Sequence, residues 1–231
     1  MAALVSLIAS TPEPDRLVAA SARLCYSPGS ACDLARDLTG EEAARLLKHL
    51  RRSGHLSPFE HAAFTFAVDG ISRACSHQLV RHRIASFSQQ SQRYVRAEKP
   101  EFIVPHTVDE IPEAVSCFFD TLQKAYEAYG KLVALGIPQE DARYVLPNAC
   151  ETHLVVTMNA RELLHFFSLR LCKRAQWEIR EIARQMLLLA RGKAPCLFAT
   201  AGPSCITDGT CGEARPCGSP YADMEDLLAG H

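Results

Sequence analysis

Arg81-His82-Arg83, then seven residues, then Ser91 and, two further on, Arg93 form the segment of this chain best equipped for chemistry, and no acidic residue interrupts it. Guanidinium groups carry fixed charge and a planar fork of donors that matches phosphate oxygens. Ser86, Ser88 and Ser91 add hydroxyls to a stretch that reads as a polar loop, whose backbone N–H groups complete an anion cradle. These residues predict a site for phosphorylated, nucleotide-like ligands. Helix capping is the competing account. Arg73 to Val80 reads as helix, and basic residues at a helix C-terminus complement the macrodipole with no ligand at all. That account leaves the three serines and Arg93 unexplained, so the anion site is favoured.

Other constellations surround this one. Arg73, His77 and Arg81 recur at four-residue spacing on one face of that helix, with Gln78 beside them. Gln78 offers both a donor and an acceptor, which suits a base edge or a phosphate, whereas His77 reads as a partly buried structural histidine. Ser57 and Glu60 have the spacing of a capping box. His55 and His61 flank Glu60 but do not make H-E-x-x-H, so a zinc protease is excluded on spacing. Later, Arg170 and Arg174 share a helical face, as do Gln176 and Arg180. Arg184 lies one turn beyond Arg180, and like charges at that spacing repel, which favours a ligand at Arg180 over a surface role. Ser91 has no His or Asp partner within sequence reach, so a phosphate contact suits its hydroxyl better than a nucleophilic role.

Four blocks in order, His55-Leu56-Ser57-Pro58-Phe59-Glu60-His61, Arg81 to Ser91, Asn159-Ala160-Arg161-Glu162 and Ala175-Gln176-Trp177-Glu178-Ile179-Arg180, resemble the flavin-dependent thymidylate synthases. The resemblance covers roughly residues 3 to 198, too much for chance matching of a short pattern. It implies reductive methylation of dUMP to dTMP, with 5,10-methylenetetrahydrofolate as carbon donor and NADPH reducing a bound FAD. It implies a homotetramer with shared active sites. It assigns FAD to His55, Ser57, Glu60, Arg81, His82, Arg83, Gln89, Ser168, Arg170 and Arg174, and dUMP to Gln78, Gln89, Gln90, Ser91, Arg93, His153 and Arg180. Arg180 is the catalytic candidate, holding the uracil carbonyls while negative charge develops on the ring. Three positions depart from the family pattern. His153 stands where many relatives carry a phosphate-binding Arg, Ser168 where many have Asn, and Gln89 where an acidic residue is common. His153 is a weaker and pH-dependent cation.

The rest of the sequence limits the alternatives. With 25 basic and 26 acidic residues the formal charge is −1, so positive charge is local and a small anionic ligand fits better than nucleic acid. No apolar run approaches ~20 residues, and Met1 to Ser6 lacks the basic region of a signal peptide. A cytoplasmic enzyme with most of its ten cysteines reduced is expected. A non-catalytic flavin- or nucleotide-binding module and a metal-stabilised interaction domain are the competing classes.

The elements that must position these residues read as mixed. Leu4–Ala9, Phe64–Val68, Phe102–Val104 and Thr152–Met158 are expected strands, with a turn at Asp69-Gly70. Helices are expected from a Thr11 cap with Pro12 in the first turn, over Glu41–Arg52, from Arg73, over Ile111–Leu135, and over residues 160–191 as two consecutive helices or one long interrupted one, stopped by Gly192. Asn159 and Glu162 have the form of a capping box. The pattern lacks the βα alternation of a doubly wound sheet, and no G-x-G-x-x-G is present. The expectation is therefore an α+β single domain, a mainly antiparallel sheet packed with long helices, binding flavin by a non-Rossmann fold. Residues 1–198 are expected to form the enzyme domain and 199–231 a Cys/Gly/Pro-rich tail. In and near that tail Cys196, Cys205, Cys211 and Cys217 leave three readings open: a metal clasp, disulfides, or free thiols. No metal is assigned to the active site.

Overall fold

The structure is a computed structural model that describes residues 3–95 and 101–230. Its frame is a four-stranded antiparallel sheet in the order β1-β2-β4-β3, formed by β1 (Leu4–Ser10), β2 (Ala63–Ser72), β3 (Ala85–Gln89) and β4 (Glu151–Asn159). Phe64, Phe66 and Val68 of β2 alternate inward and pair in register with Met158, Val156 and Leu154 of β4. Period-two alternation puts all six on one face, and all six are buried.

Helices surround the sheet, and part of them covers that buried face. They are α1 (Pro14–Leu24), α2 (Ala31–Asp37), α3 (Gly40–Arg52), α4 (Arg73–Leu79), the short α5 (His106–Asp109), α6 (Pro112–Ala134), the short α7 (Gln139–Ala142), α8 (Ala160–Arg170), α9 (Trp177–Lys193), the short α10 (Ser204–Thr207) and α11 (Met224–Ala229). The spine is α9, whose Ile179, Ile182, Ala183, Met186, Leu187 and Ala190 are buried at helical spacing against β1 and β2. Phe198 follows it and meets Phe64 and Phe167 edge-on, with ring centroids at 5.4 and 5.8 Å. Ala201, Tyr221 and Leu227 bring the tail onto the same core. Among the described residues no helix is long and apolar enough to cross a membrane.

Several local expectations are corrected. Asp69-Gly70 is not a turn: β2 runs through it, and the register shift between Val68 and Ile71 is a bulge with Gly70 at φ 70°. Glycine takes that left-handed conformation without a Cβ clash. Thr11 does not cap α1, because its Oγ1 accepts from the Ala63 N–H and its own N–H donates to the Ala63 carbonyl. The helix starts at Pro14 instead. The serine segment after Arg83 is no loop; Ala85–Gln89 is the edge strand β3. Phe102 makes only an isolated bridge to Cys150, and α9 continues past Gly192 to Lys193. His77 is exposed, not half-buried.

Candidate active site

A cleft of about 1590 Å³ opens between the C-terminal end of α3, the Arg81–Ile84 connection, α8 and the chain after α9. Its lining is strongly cationic: Lys48, Arg51, Arg52, Arg81, Arg83, Arg161 and Arg170 face three acids, Glu60, Glu162 and Asp208. Arg51 is committed to structure. Its guanidinium donates to the carbonyls of Leu197 (3.3 Å) and Thr200 (2.7 Å), and burial lowers its pKa. Arg161 pairs with Glu60 at 2.5 Å. Arg81 and Arg83 are exposed and form no ion pair among the described residues. Fixed charges left unpaired in a concave site are what an anionic ligand requires.

Behind these arginines lies a buried polar chain. The short turn after α4, where the His82 N–H donates to the Leu79 carbonyl, points the ring inward. There Nδ1 stands 3.0 Å from Oε1 of Glu162, and Nε2 accepts from Nε of Arg170 at 3.1 Å. The Arg170 bond occupies the Nε2 lone pair, so the proton belongs on Nδ1, donated to Glu162. Burial lowers the His82 pKa, the Glu162 hydrogen bond opposes this, and the Arg170 charge adds to the lowering. The net direction is downward, which favours the neutral imidazole. Donor atoms of His82, Glu162 and His165 lie within 4.8 Å of one another, a spacing that could hold an ion. The Arg170 guanidinium already uses Nε2 and places fixed positive charge against any cation there.

The expected flavin residues divide. Glu60, Arg81, His82, Arg83, Ser168 and Arg170 line the cleft, and Ser168 Oγ donates to the His165 carbonyl at 2.7 Å. His55 instead lines a separate groove with Tyr26 and Arg45. Ser57 opens a short 3-10 turn, Ser57–His61, without forming the expected capping box, because Glu60 turns to Arg161. Arg174 pairs with Glu213 of the tail at 3.0 Å. Gln89 is on the far strand, where Nε2 donates to Thr152 Oγ1 at 3.1 Å.

The expected dUMP residues gather elsewhere. Gln89, Gln90 and Ser91 follow the β3 edge beside β4, and the Gln90 N–H donates to the His153 carbonyl at 2.9 Å. Ser91 Oγ accepts from the Arg93 N–H at 3.1 Å, and Arg93 pairs with Glu140 at 2.6 Å. His153 Nδ1 pairs with Asp69 at 3.0 Å. Gln78 offers its carbonyl to Arg170 at 3.4 Å. Arg180 lines a third cavity with Trp177, Phe102 and Tyr221, and its guanidinium donates to the Lys173 carbonyl at 2.8 Å. Its neighbour Arg184 is held by both oxygens of Glu181, at 2.6 and 2.7 Å, so the expected repulsion is absorbed. Within one chain these residues therefore occupy three surfaces.

Sequence reading missed Arg51, Arg52, Glu162 and His165 as cleft residues. Glu162 looked like a capping partner, and half of that is true: its N–H donates to Asn159 Oδ1 at 2.8 Å. Its carboxylate goes to His82, eighty residues away in the chain, a pairing with no local signal.

Comparison with known proteins identifies the family of the chain. The family model described as thymidylate synthase complementing protein matches residues 6–196. A flavin-dependent thymidylate synthase of Geobacter sulfurreducens is 50% identical over 226 residues, covering 97% of each chain. One from Clostridium tetani is 45% identical, covering 98% of this chain and 97% of the relative. Among solved structures, a UMP/dUMP methylase, PolB, from Streptomyces cacaoi bound with 5-Br dUMP superposes with a TM-score of 0.75 at 29% identity, covering 85% of this chain and 93% of that one. With the match spanning nearly the whole chain, cleft and all, this protein belongs to the flavin-dependent thymidylate synthase family.

Proposed function

We propose that the protein catalyses reductive methylation of dUMP to dTMP, with FAD bound in the cationic cleft, 5,10-methylenetetrahydrofolate as carbon donor and NADPH as reductant. The observation that carries this reading is the unpaired Arg81–Arg83 pair flanking a buried His82 in a cleft large enough for a dinucleotide. The residues present fit FAD: exposed guanidiniums suit its pyrophosphate, and Arg170, Ser168 and the Glu60–Arg161 pair supply polar groups along the walls. When bound, FAD supplies hydride chemistry that side chains lack. No glycine-rich βα turn contributes to the cleft, which supports a non-Rossmann mode of binding.

For dUMP, Ser91, Arg93, Gln90 and His153 make the phosphate end. Arg93 reaches phosphate by exchanging Glu140, and Glu140 and Arg93 are about half exposed, so breaking their pair costs only about 0–1 kcal/mol. His153 would likewise leave Asp69. Gln78 and Arg180 take the base. Arg180 donates to the uracil carbonyls and stabilises the enolate-like charge that grows as C5 becomes nucleophilic. The three surfaces of one chain are joined into one site in a homotetramer, a reading supported by their separation within the monomer. Residues 1–198 form the enzyme unit and 199–231 a tail, in a cytoplasmic protein.

The test is an anaerobic assay of dTMP formation with purified protein, dUMP, methylenetetrahydrofolate and NADPH, beside the flavin absorbance and the mass in solution. A yellow protein near four times 25.4 kDa that forms dTMP supports the reading. A protein that binds flavin and dUMP without turnover is a binding module instead.

A further inference from the structure

Four cysteines from two separate parts of the chain line one small cavity of about 310 Å³: Cys172, in the turn between α8 and α9, and Cys205, Cys211 and Cys217 of the tail. All four are free, the first two half-buried and the last two exposed. Tyr221, buried on the same wall, lies within electrostatic reach of both Cys172 and Cys205. Cys196, which proximity in sequence groups with the tail, is elsewhere. It lines the large cleft, and its thiol is pushed up to about 11 by burial and then by Asp15.

The tail around this cavity has little else to order it. Every residue from 207 to 220 is exposed, and no helix or strand forms between Thr207 and Met224. A segment that buries no apolar side chain has no hydrophobic gain to offset the entropy of a fixed path. Gly212 N–H donates to Ser204 Oγ, and Glu213 pairs with Arg174, but exposed contacts of this kind contribute little.

We propose that Cys172, Cys205, Cys211 and Cys217 form a structural zinc site that clasps the tail to the α8–α9 turn. Four thiolates are a complete tetrahedral set, and soft sulfur ligands select zinc over magnesium or calcium. The tail sulfurs recur at six-residue intervals and not as the short pairs of a zinc hairpin. This is expected where one ligand comes from the body of the fold and three from a loop that wraps it. No three of the four sulfurs lie within 4.8 Å of one another in this structure, so binding draws the exposed loop inward. The loop can move without disturbing the core, because Cys211, Cys217 and every other residue from 207 to 220 are exposed. Lys173, whose Nζ is 4.5 Å from the Tyr221 ring centre, puts positive charge beside a net-negative tetrathiolate. The Lys173 carbonyl also holds Arg180, so the clasp steadies the turn that orients that arginine.

The full chain, purified under a phosphine reductant, is titrated with Zn2+ alone and with Co2+ alone. One ion per chain is expected, with a thiolate-to-cobalt charge-transfer band and the visible bands of tetrahedral cobalt. Zinc should slow alkylation of Cys211 and Cys217 at least ~10-fold. Cys211→Ser and Cys217→Ser should weaken binding ~10-fold or more, while Cys32→Ser, an exposed thiol outside the cavity, leaves it unchanged. The alkylation measurement uses the unaltered chain, so it stands even where a variant fails to fold. Equal alkylation rates with and without zinc, or cobalt spectra lacking thiolate charge transfer, overturn the proposal.

Discussion

His82 Nδ1 and Glu162 Oε1 meet at 3.0 Å with both side chains buried, and this contact sets the hydrogen-bonding state of the residue between Arg81 and Arg83. Glu162 accepts on one side of the ring and Arg170 donates on the other, so the ring can neither flip nor change tautomer without losing a bond. Glu162→Ala should leave the Nδ1–H buried and unsatisfied, at a cost of about 1–3 kcal/mol. Glu162→Gln retains an acceptor oxygen and should cost less. Urea unfolding of the two variants checks this; equal losses would mean that the carboxylate does not hold the ring.

The same ring makes stability depend on pH. The folded-state pKa of His82 lies below the ordinary value of 6.5, mainly through burial. The unfolded chain then takes up a proton that the folded chain refuses. Its contribution is complete above about 6.5 and is lost as pH falls towards the folded value. The melting temperature should fall between pH of about 7 and about 5, by more in the parent than in His82→Asn, which cannot titrate. Parallel curves for the two proteins would place the acid sensitivity in other groups.

Arg81 is exposed, lacks an ion pair among the described residues and lines the cleft. Arg81→Ala should therefore change stability by less than about 1 kcal/mol, since only a helix-end charge is lost. Flavin should be lost or bound at least ~10-fold more weakly, because a charge-assisted bond of about 1.5–3 kcal/mol is removed. Flavin absorbance of the purified variant, read beside its melting curve, decides between a ligand contact and a helix cap.

Arg180 is aimed by its bond to the Lys173 carbonyl into a cavity apart from the cationic cleft. Arg180→Ala should keep flavin and NADPH oxidation yet form dTMP at least ~10–100-fold more slowly, since the charge it meets develops mainly during methylene transfer. Arg180→Lys should recover part of the rate, because one ammonium cannot bridge two carbonyls in the ring plane. A wild-type rate of dTMP formation in Arg180→Ala would make it a structural arginine.

Local physics determined much of this protein before any contact was known. Alternation in Phe64–Val68 and the β-branched Val155 and Val156 of Thr152–Met158 identified the two central strands, and helical spacing over Glu41–Arg52 and Ile111–Leu135 located α3 and α6 to within a residue or two. The dense run Arg81 to Arg93 pointed by composition to an anion site, the reading carried forward as a proposal. Tertiary structure decided the rest. Ala85–Gln89 alternates half-buried Ala85, Phe87 and Gln89 with exposed Ser86 and Ser88, a short and weakly apolar alternation that became a strand because β4 offered an open edge. Asp69-Gly70 looked like a turn, but pairing with both neighbours outweighed the local preference and left a bulge. Glu162 reached His82, Arg161 took Glu60, and Cys172 joined the tail cysteines in place of Cys196. Each of these contacts joins residues far apart in the chain, where spacing carries no information and only burial and the packing of α8 and α9 against the sheet select the partner.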